Sequence, residues 1–144
     1  MFIGEYDHHL DGKNRLSIPV RFREAVESAE ERKGFFVTRG LDSCLFLYTE
    51  SQWNEVIAGL KAKPFTDAVV RKFQRAFFSN ATYAEFDNQG RILIPENLKR
   101  FAGLVKNVTV IGVLGRIEVW DRDAWRAAKH LPGGEYESLA QQLF

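Results

Sequence analysis

Arg15 and Arg91 are the side chains best placed to do chemistry. Each stands four residues after an aspartate, in the segments Asp11-Gly12-Lys13-Asn14-Arg15-Leu16-Ser17-Ile18-Pro19 and Asp87-Asn88-Gln89-Gly90-Arg91-Ile92-Leu93-Ile94-Pro95. A guanidinium at the base of a turn, projecting from one face of a short strand, can donate paired hydrogen bonds to guanine O6 and N7 or clamp a phosphate. The carboxylate four residues earlier orients that guanidinium, closes the turn, or does both. Lys13 adds a cation to the first turn, whereas Asn88 and Gln89 give the second turn neutral donors and acceptors, so the two need not bind equally.

Catalysis has little to stand on. An aspartate and an arginine without a histidine, an ordered nucleophile or a phosphate-binding glycine loop make a weak acid–base site. His8 and His9 are adjacent, so a strand would send them to opposite faces, and His130 is far from both in sequence; no metal centre is expected. Cys44 lies in Cys44-Leu45-Phe46-Leu47-Tyr48, where a small buried or semi-buried side chain is the ordinary role. Gly112-Val113-Leu114-Gly115 lacks a nucleotide fingerprint and reads as a hairpin turn. No enzyme activity and no cofactor are expected.

The elements that must position the arginines follow from periodicity. Residues 2–9 read as a strand entering the first turn. Alternation in 15–18 and 91–94 puts Leu16, Ile18, Ile92 and Ile94 inward, with Arg15, Ser17, Arg91 and Leu93 outward. Asp11 and Asp87 can accept from backbone N–H groups two or three residues on, while Gly12 or Gly90 tolerates positive φ. Asn14 occupies the position of Gly90, and asparagine also visits the left-handed region. Pro19 and Pro95 end the strands and suit the first turn of a helix, which predicts short helices over 20–30 and 96–102.

The match between the two segments, 76 residues apart, extends to Phe22-Arg23 against Leu98-Lys99. At an offset of 72 it resumes: Gly40 matches Gly112, Leu45 to Tyr48 match Ile117 to Trp120, and Trp53 matches Trp125. The chain is an internal repeat with four residues lost from the second copy between proline and third strand. Strand pairs are predicted over 35–39 with 44–48 and 107–111 with 116–120. A capped helix should follow each pair, beginning after Thr49 or Ser51 and after Asp121 or Asp123. The tryptophans should anchor those helices.

These elements divide the chain into a first module over 1–60, a helical linker over 61–76, a second module over 77–130, and a tail or short helix over 131–144 that offers Leu139, Leu143 and Phe144 for docking. A helix over 66–77 should gather Ala68, Val69, Phe73, Ala76 and Phe77 into one stripe. At 144 residues the chain can bury one shared core, while half of it, at about 50 residues, would be insecure alone.

The formal net charge is only +1, yet 61–75 carries five bases against one acid and 91–106 four against one, enough for local positive surfaces. One cysteine fits a reducing compartment, the start lacks a signal-peptide pattern, and the longest mainly apolar run, Val108 to Leu114, is far short of a bilayer span. A soluble cytoplasmic protein without a membrane partner is expected.

The opening Met1-Phe2-Ile3-Gly4-Glu5-Tyr6, His9 to Pro19 and Asp87 to Pro95 resemble the MraZ family, and the likeness covers nearly the whole chain. It implies an α+β fold of duplicated small β-barrel modules of the AbrB type, pseudo-two-fold related, with short helices. It further implies a nucleoid-associated bacterial transcription regulator that assembles as a ring and binds direct repeats in double-stranded DNA, repressing its own division and cell-wall gene cluster. By that resemblance Asp11, Arg15, Asp87 and Arg91 are the signature turn residues, with Arg15 the foremost DNA contact and Lys13 and Arg91 next. Asn14 departs from the usual glycine. The other class compatible with the residues is an oligomerisation module without specific DNA recognition.

Overall fold

A computed structural model describes residues 1–144. The elements run β1 (Phe2–His9), β2 (Arg15–Ser17), α1 (Val20–Glu27), β3 (Gly34–Arg39), β4 (Leu45–Tyr48), α2 (Glu50–Lys61) and α3 (Ala68–Ser79). The second copy then gives β5 (Thr82–Glu85), β6 (Arg91–Leu93), α4 (Glu96–Phe101), β7 (Asn107–Leu114), β8 (Ile117–Asp121), α5 (Arg122–Ala128) and finally α6 (Glu135–Leu143). The fold is α+β with antiparallel pairing throughout.

Six strands form one sheet in the order β1-β7-β8-β4-β3-β5, and β2 pairs with β6 in a separate ribbon. Exchanging each strand for its repeat partner reverses the sheet order onto itself, so a pseudo-two-fold axis runs between β4 and β8 and between Leu16 and Ile92 of the ribbon. The first strand of each copy therefore crosses to the other copy: β1 pairs with β7 from Phe2↔Leu114 to His9↔Asn107, and β5 pairs with β3 from Gly34↔Glu85 to Val37↔Thr82. No continuous ladder joins the ribbon to the sheet; an isolated bridge, Leu10↔Leu16, connects them. The pairing thus yields a sheet and a ribbon where closed barrels were anticipated.

One face of the sheet is covered by the ribbon, α1 and α4, the other only in part by α2, α3 and α5, and strand alternation sorts the side chains. Phe35, Val37, Leu45, Leu47, Val108, Val110, Ile117 and Val119 face a large core shared with Leu16, Ile18, Ile92 and Ile94 and with Phe22 and Leu98 of α1 and α4. Phe46, Tyr48, Ile111 and Trp120 face the opposite side, against α2, α3 and α5. Full burial of each aliphatic side chain of the ribbon stabilises by roughly 1.5–3 kcal/mol, which holds the ribbon as an outer layer over the sheet.

Helix ends follow their caps. Thr49 and Gln52 form a reciprocal capping box at α2, and Asp121 Oδ2 accepts from Ala124 N at 3.0 Å at α5. Pro19 and Pro95 lie at the N-cap, one residue before the helices they introduce. The first helix stops at Glu27, earlier than residue 30, because Lys33 Nζ reaches back to the carbonyls of Val26 and Glu27 at 3.1 and 3.0 Å.

Two expectations are corrected here. The second hairpin turns only at Leu114-Gly115, because β1 continues alongside β7 to Leu114 and draws Gly112 into the ladder; a Cβ there would stand 2.8 Å from the Cα of Ile3. The stripe of α3 is not buried as a unit: Phe77 is 6% exposed, but Phe73 is 43% and Val69 76% exposed, since only the C-terminal turns of α3 lie over the sheet. Trp53 stacks on Phe36 and Phe77, at 4.9 and 5.7 Å between centroids. Half-buried Trp125 packs on Trp120 at 5.4 Å and donates to Glu5 Oε1 at 2.9 Å. No helix is long and apolar enough to cross a membrane.

Candidate nucleic-acid interface

The ribbon brings the two turns together. In its register Arg15 faces Leu93, Leu16 faces Ile92 and Ser17 faces Arg91. Leu16 and Ile92 point into the core, and the remaining four residues share the outer face as alternation predicted. Arg15 and Arg91 occupy diagonal positions across the pair, about 7–8 Å apart.

Each turn is built around its aspartate. Asp11 Oδ1 accepts from the backbone N–H groups of Lys13 and Arg15, both at 2.9 Å, and its Oδ2 accepts from Arg15 Nε at 2.7 Å. Asp87 repeats the arrangement with Gln89 N at 2.8 Å, Arg91 N at 3.0 Å and Arg91 Nε at 2.8 Å. One carboxylate thus closes the turn with one oxygen and aims the guanidinium with the other. Nε carries that bond, and no protein hydrogen bond engages the terminal guanidinium nitrogens of Arg15. The backbone N–H of Arg15, above all, pulls the Asp11 carboxyl down to about 2, helped by Lys13 N–H and the Arg15 side chain. The Asp87 carboxyl is lowered for the same reason, led by the backbone N–H of Arg91.

The turns also lock each other. Asn14 has φ 60° and Gly90 φ 73°, so the asparagine reaches the same left-handed geometry as the glycine it replaces. Asn14 O accepts from Ile94 N at 2.9 Å, and Gly90 O accepts from Ile18 N at 3.3 Å, a reciprocal pair that extends the ribbon at both ends. The neighbours explain why the residue types differ. The Asn14 side chain has room, donating to Glu96 Oε2 and accepting from Lys99 Nζ, each at 2.9 Å. At Gly90 the Arg23 side chain occupies the space a Cβ would need.

The symmetry is incomplete in a way that ranks the arginines. Arg91 Nη1 lies 3.6 Å from Asp11 Oδ2, so Asp11 stands between both guanidiniums while Asp87 holds only its own. The Arg15 side chain is 34% exposed against 22% for Arg91. Lys13 stands exposed at the tip of the first turn. Arg15 and Lys13 are therefore the more accessible cations of the pair of turns.

With this geometry in view, the comparison with known families is decisive. The model described as "MraZ protein, putative antitoxin-like" matches residues 1–76 and 77–130. The chain belongs to the MraZ family. Each MraZ match contains one complete turn, Asp11 to Arg15 in the first and Asp87 to Arg91 in the second. The family is one of regulators.

Two flanking residues, Arg23 on α1 and Lys99 on α4, lie just beyond the MraZ-like segments. They are equivalent at the repeat offset, and each reaches the left-handed residue of the opposite turn. The offset was visible as Phe22-Arg23 against Leu98-Lys99, but the crossing of the two ribbon strands, which brings each to the other copy's turn, is a tertiary fact. Cys44 is buried as expected, its Sγ directed to Leu41 O at 3.0 Å and its thiol pushed up to about 12 by burial.

Proposed function

We propose that the chain is a sequence-specific DNA-binding transcription regulator that assembles as a homo-oligomer, in the form of a ring, and uses its paired turns on direct repeats in double-stranded DNA. The observation that carries this reading is the antiparallel pairing of β2 with β6, which sets Arg15 and Arg91 on one outward face with each guanidinium held at Nε by its own aspartate. A guanidinium fixed in this way keeps its terminal nitrogens for a paired contact with guanine or phosphate and loses little freedom on binding.

Arg15 is the base-reading candidate, Lys13 a phosphate contact, and Arg91 a second contact restrained by its approach to Asp11. Asp11 and Asp87 act through the turns they close. One chain offers few cations on a nearly neutral body, so affinity has to come from repetition: several copies engaging several sites convert weak contacts into strong binding through effective concentration. The cytoplasmic nucleoid is the compartment this activity requires. Repression of its own division and cell-wall gene cluster is the regulatory outcome proposed from the family.

The test is a mobility-shift titration with duplexes carrying one, two and more direct repeats of a candidate promoter element, beside a scrambled duplex of equal length. Affinity that climbs steeply with repeat number and is absent on the scrambled duplex supports the proposal. Equal affinity for all duplexes, or none for any, would leave a structural or protein-binding oligomerisation module without specific DNA recognition.

A further inference from the structure

The two copies differ most on the sheet face away from the ribbon. In the first copy α3 folds back over that face, placing Phe73 and Phe77 against Leu41, Tyr48 and Val56 and leaving a recess of about 190 Å3. At the repeat offset the second copy presents Val113, Trp120 and Ala128 in those places, beside Trp125, and with the Asp42-Ser43 turn of the first copy at its edge they line an open groove of about 750 Å3. Nothing from its own chain fills it in the manner of Phe77.

The helix equivalent to α3 in chain order is α6, which follows α5 as α3 follows α2. It has no buried residue, and Tyr136, Leu139 and Leu143 form a stripe at helical spacing that stands 69%, 43% and 81% exposed. Its approach is set by two successive left-handed glycines, Gly133 at φ 54° and Gly134 at φ 82°, which carry α6 off its own body. The groove floor is mixed, with Trp120 and Trp125 beside the Arg116–Glu118 ion pair at 2.9 Å, and the stripe is mixed likewise, two leucines and a tyrosine hydroxyl.

We infer that the groove on β7, β8 and α5 is the receptor for α6 of a second copy of this chain, which takes there the place α3 takes within the first copy. Helix and groove are different patches, so the contact is head-to-tail and repeats from copy to copy until a ring closes. The sheet separates this interface from the ribbon, so assembly leaves every pair of turns open. The inference rests on the homo-oligomeric reading above and says which surfaces make it.

The test uses the whole 144-residue chain. Val113→Cys and Leu139→Cys variants, prepared separately and mixed, are treated with a short bismaleimide; Cys44 is buried and stays in place. Cross-linking in the mixture but in neither variant alone supports the inference, as does a multi-subunit ladder from the double variant. Cross-linking of the double variant only within one chain would overturn it, assigning the groove to its own helix. Sedimentation supplies the second readout: Leu139→Asp, on an exposed helix, should shift the oligomer to monomer. An oligomer that survives Leu139→Asp and yields no mixed cross-link overturns the surfaces while the homo-oligomer stands. A wild-type chain that sediments as a monomer at high micromolar concentration overturns both.

Discussion

Asp11 does three jobs at once: it accepts two backbone N–H groups, holds Arg15 Nε at 2.7 Å and lies 3.6 Å from Arg91 Nη1. Its folded carboxyl sits at about 2 against an ordinary value of 3.8. A carboxyl depressed on folding contributes stability that is complete above its unfolded value and fades as pH falls through the folded one. The first turn should therefore be indifferent to pH from 8 down to about 4 and loosen between about 4 and 2. NMR titration of the Asp11 carboxyl carbon checks this, and a midpoint at or above 4 would remove the proposed hydrogen bonding. Much at this scale was legible: the aspartate–arginine spacing, the outward arginines and the left-handed Asn14 follow from alternation and turn chemistry alone. The approach of Arg91 to Asp11 was not, because it joins residues 80 apart that only the ribbon register brings together.

Among the elements, β1 and β7 show what local pattern can and cannot say. Residues 2–9 read as a strand in the sequence, but their partner, Asn107–Leu114, lies in the other copy, and the long edge pairing moved the second turn out to Leu114-Gly115. At Gly112 a Cβ would clash with the backbone N of Ile3. Gly112→Ala should force β1 from β7 and cost about 1–3 kcal/mol; chemical denaturation measures it, and a variant as stable as wild type would mean the strands do not approach this way. Strand β5 escaped sequence reading because Thr82–Glu85 is short and offers little alternation, and its role as the counterpart of residues 6–9 appears only in its pairing with β3. The stripe on α3 misled for another reason: helical spacing marks a face but not what covers it, and half of this face projects beyond the sheet.

For the whole molecule, the exchange of β1 and β5 makes the repeat a single interlocked body. The large core takes Phe2, Leu16, Phe35 and Leu45 from one copy and Ala84, Ile92, Val108 and Ile117 from the other. Separate chains of residues 1–76 and 77–144 should consequently lack a folded monomeric state, with scanning calorimetry showing no cooperative transition for either half at concentrations where sedimentation shows it monomeric. A monomeric half with such a transition would contradict the interlocking. Interlocking is also what aligns two modest cationic turns into one face and, through the assembly, many such faces. The most direct measurement is fluorescence anisotropy of wild type and Arg15→Ala on a direct-repeat duplex and on its scrambled counterpart, starting at about 50 mM salt. The account predicts that wild type prefers the repeats and that Arg15→Ala loses about 5–150-fold on them, a cost of about 1–3 kcal/mol, with a smaller loss on the scrambled duplex. No duplex binding by wild type, or an Arg15→Ala affinity equal to wild type, would contradict it.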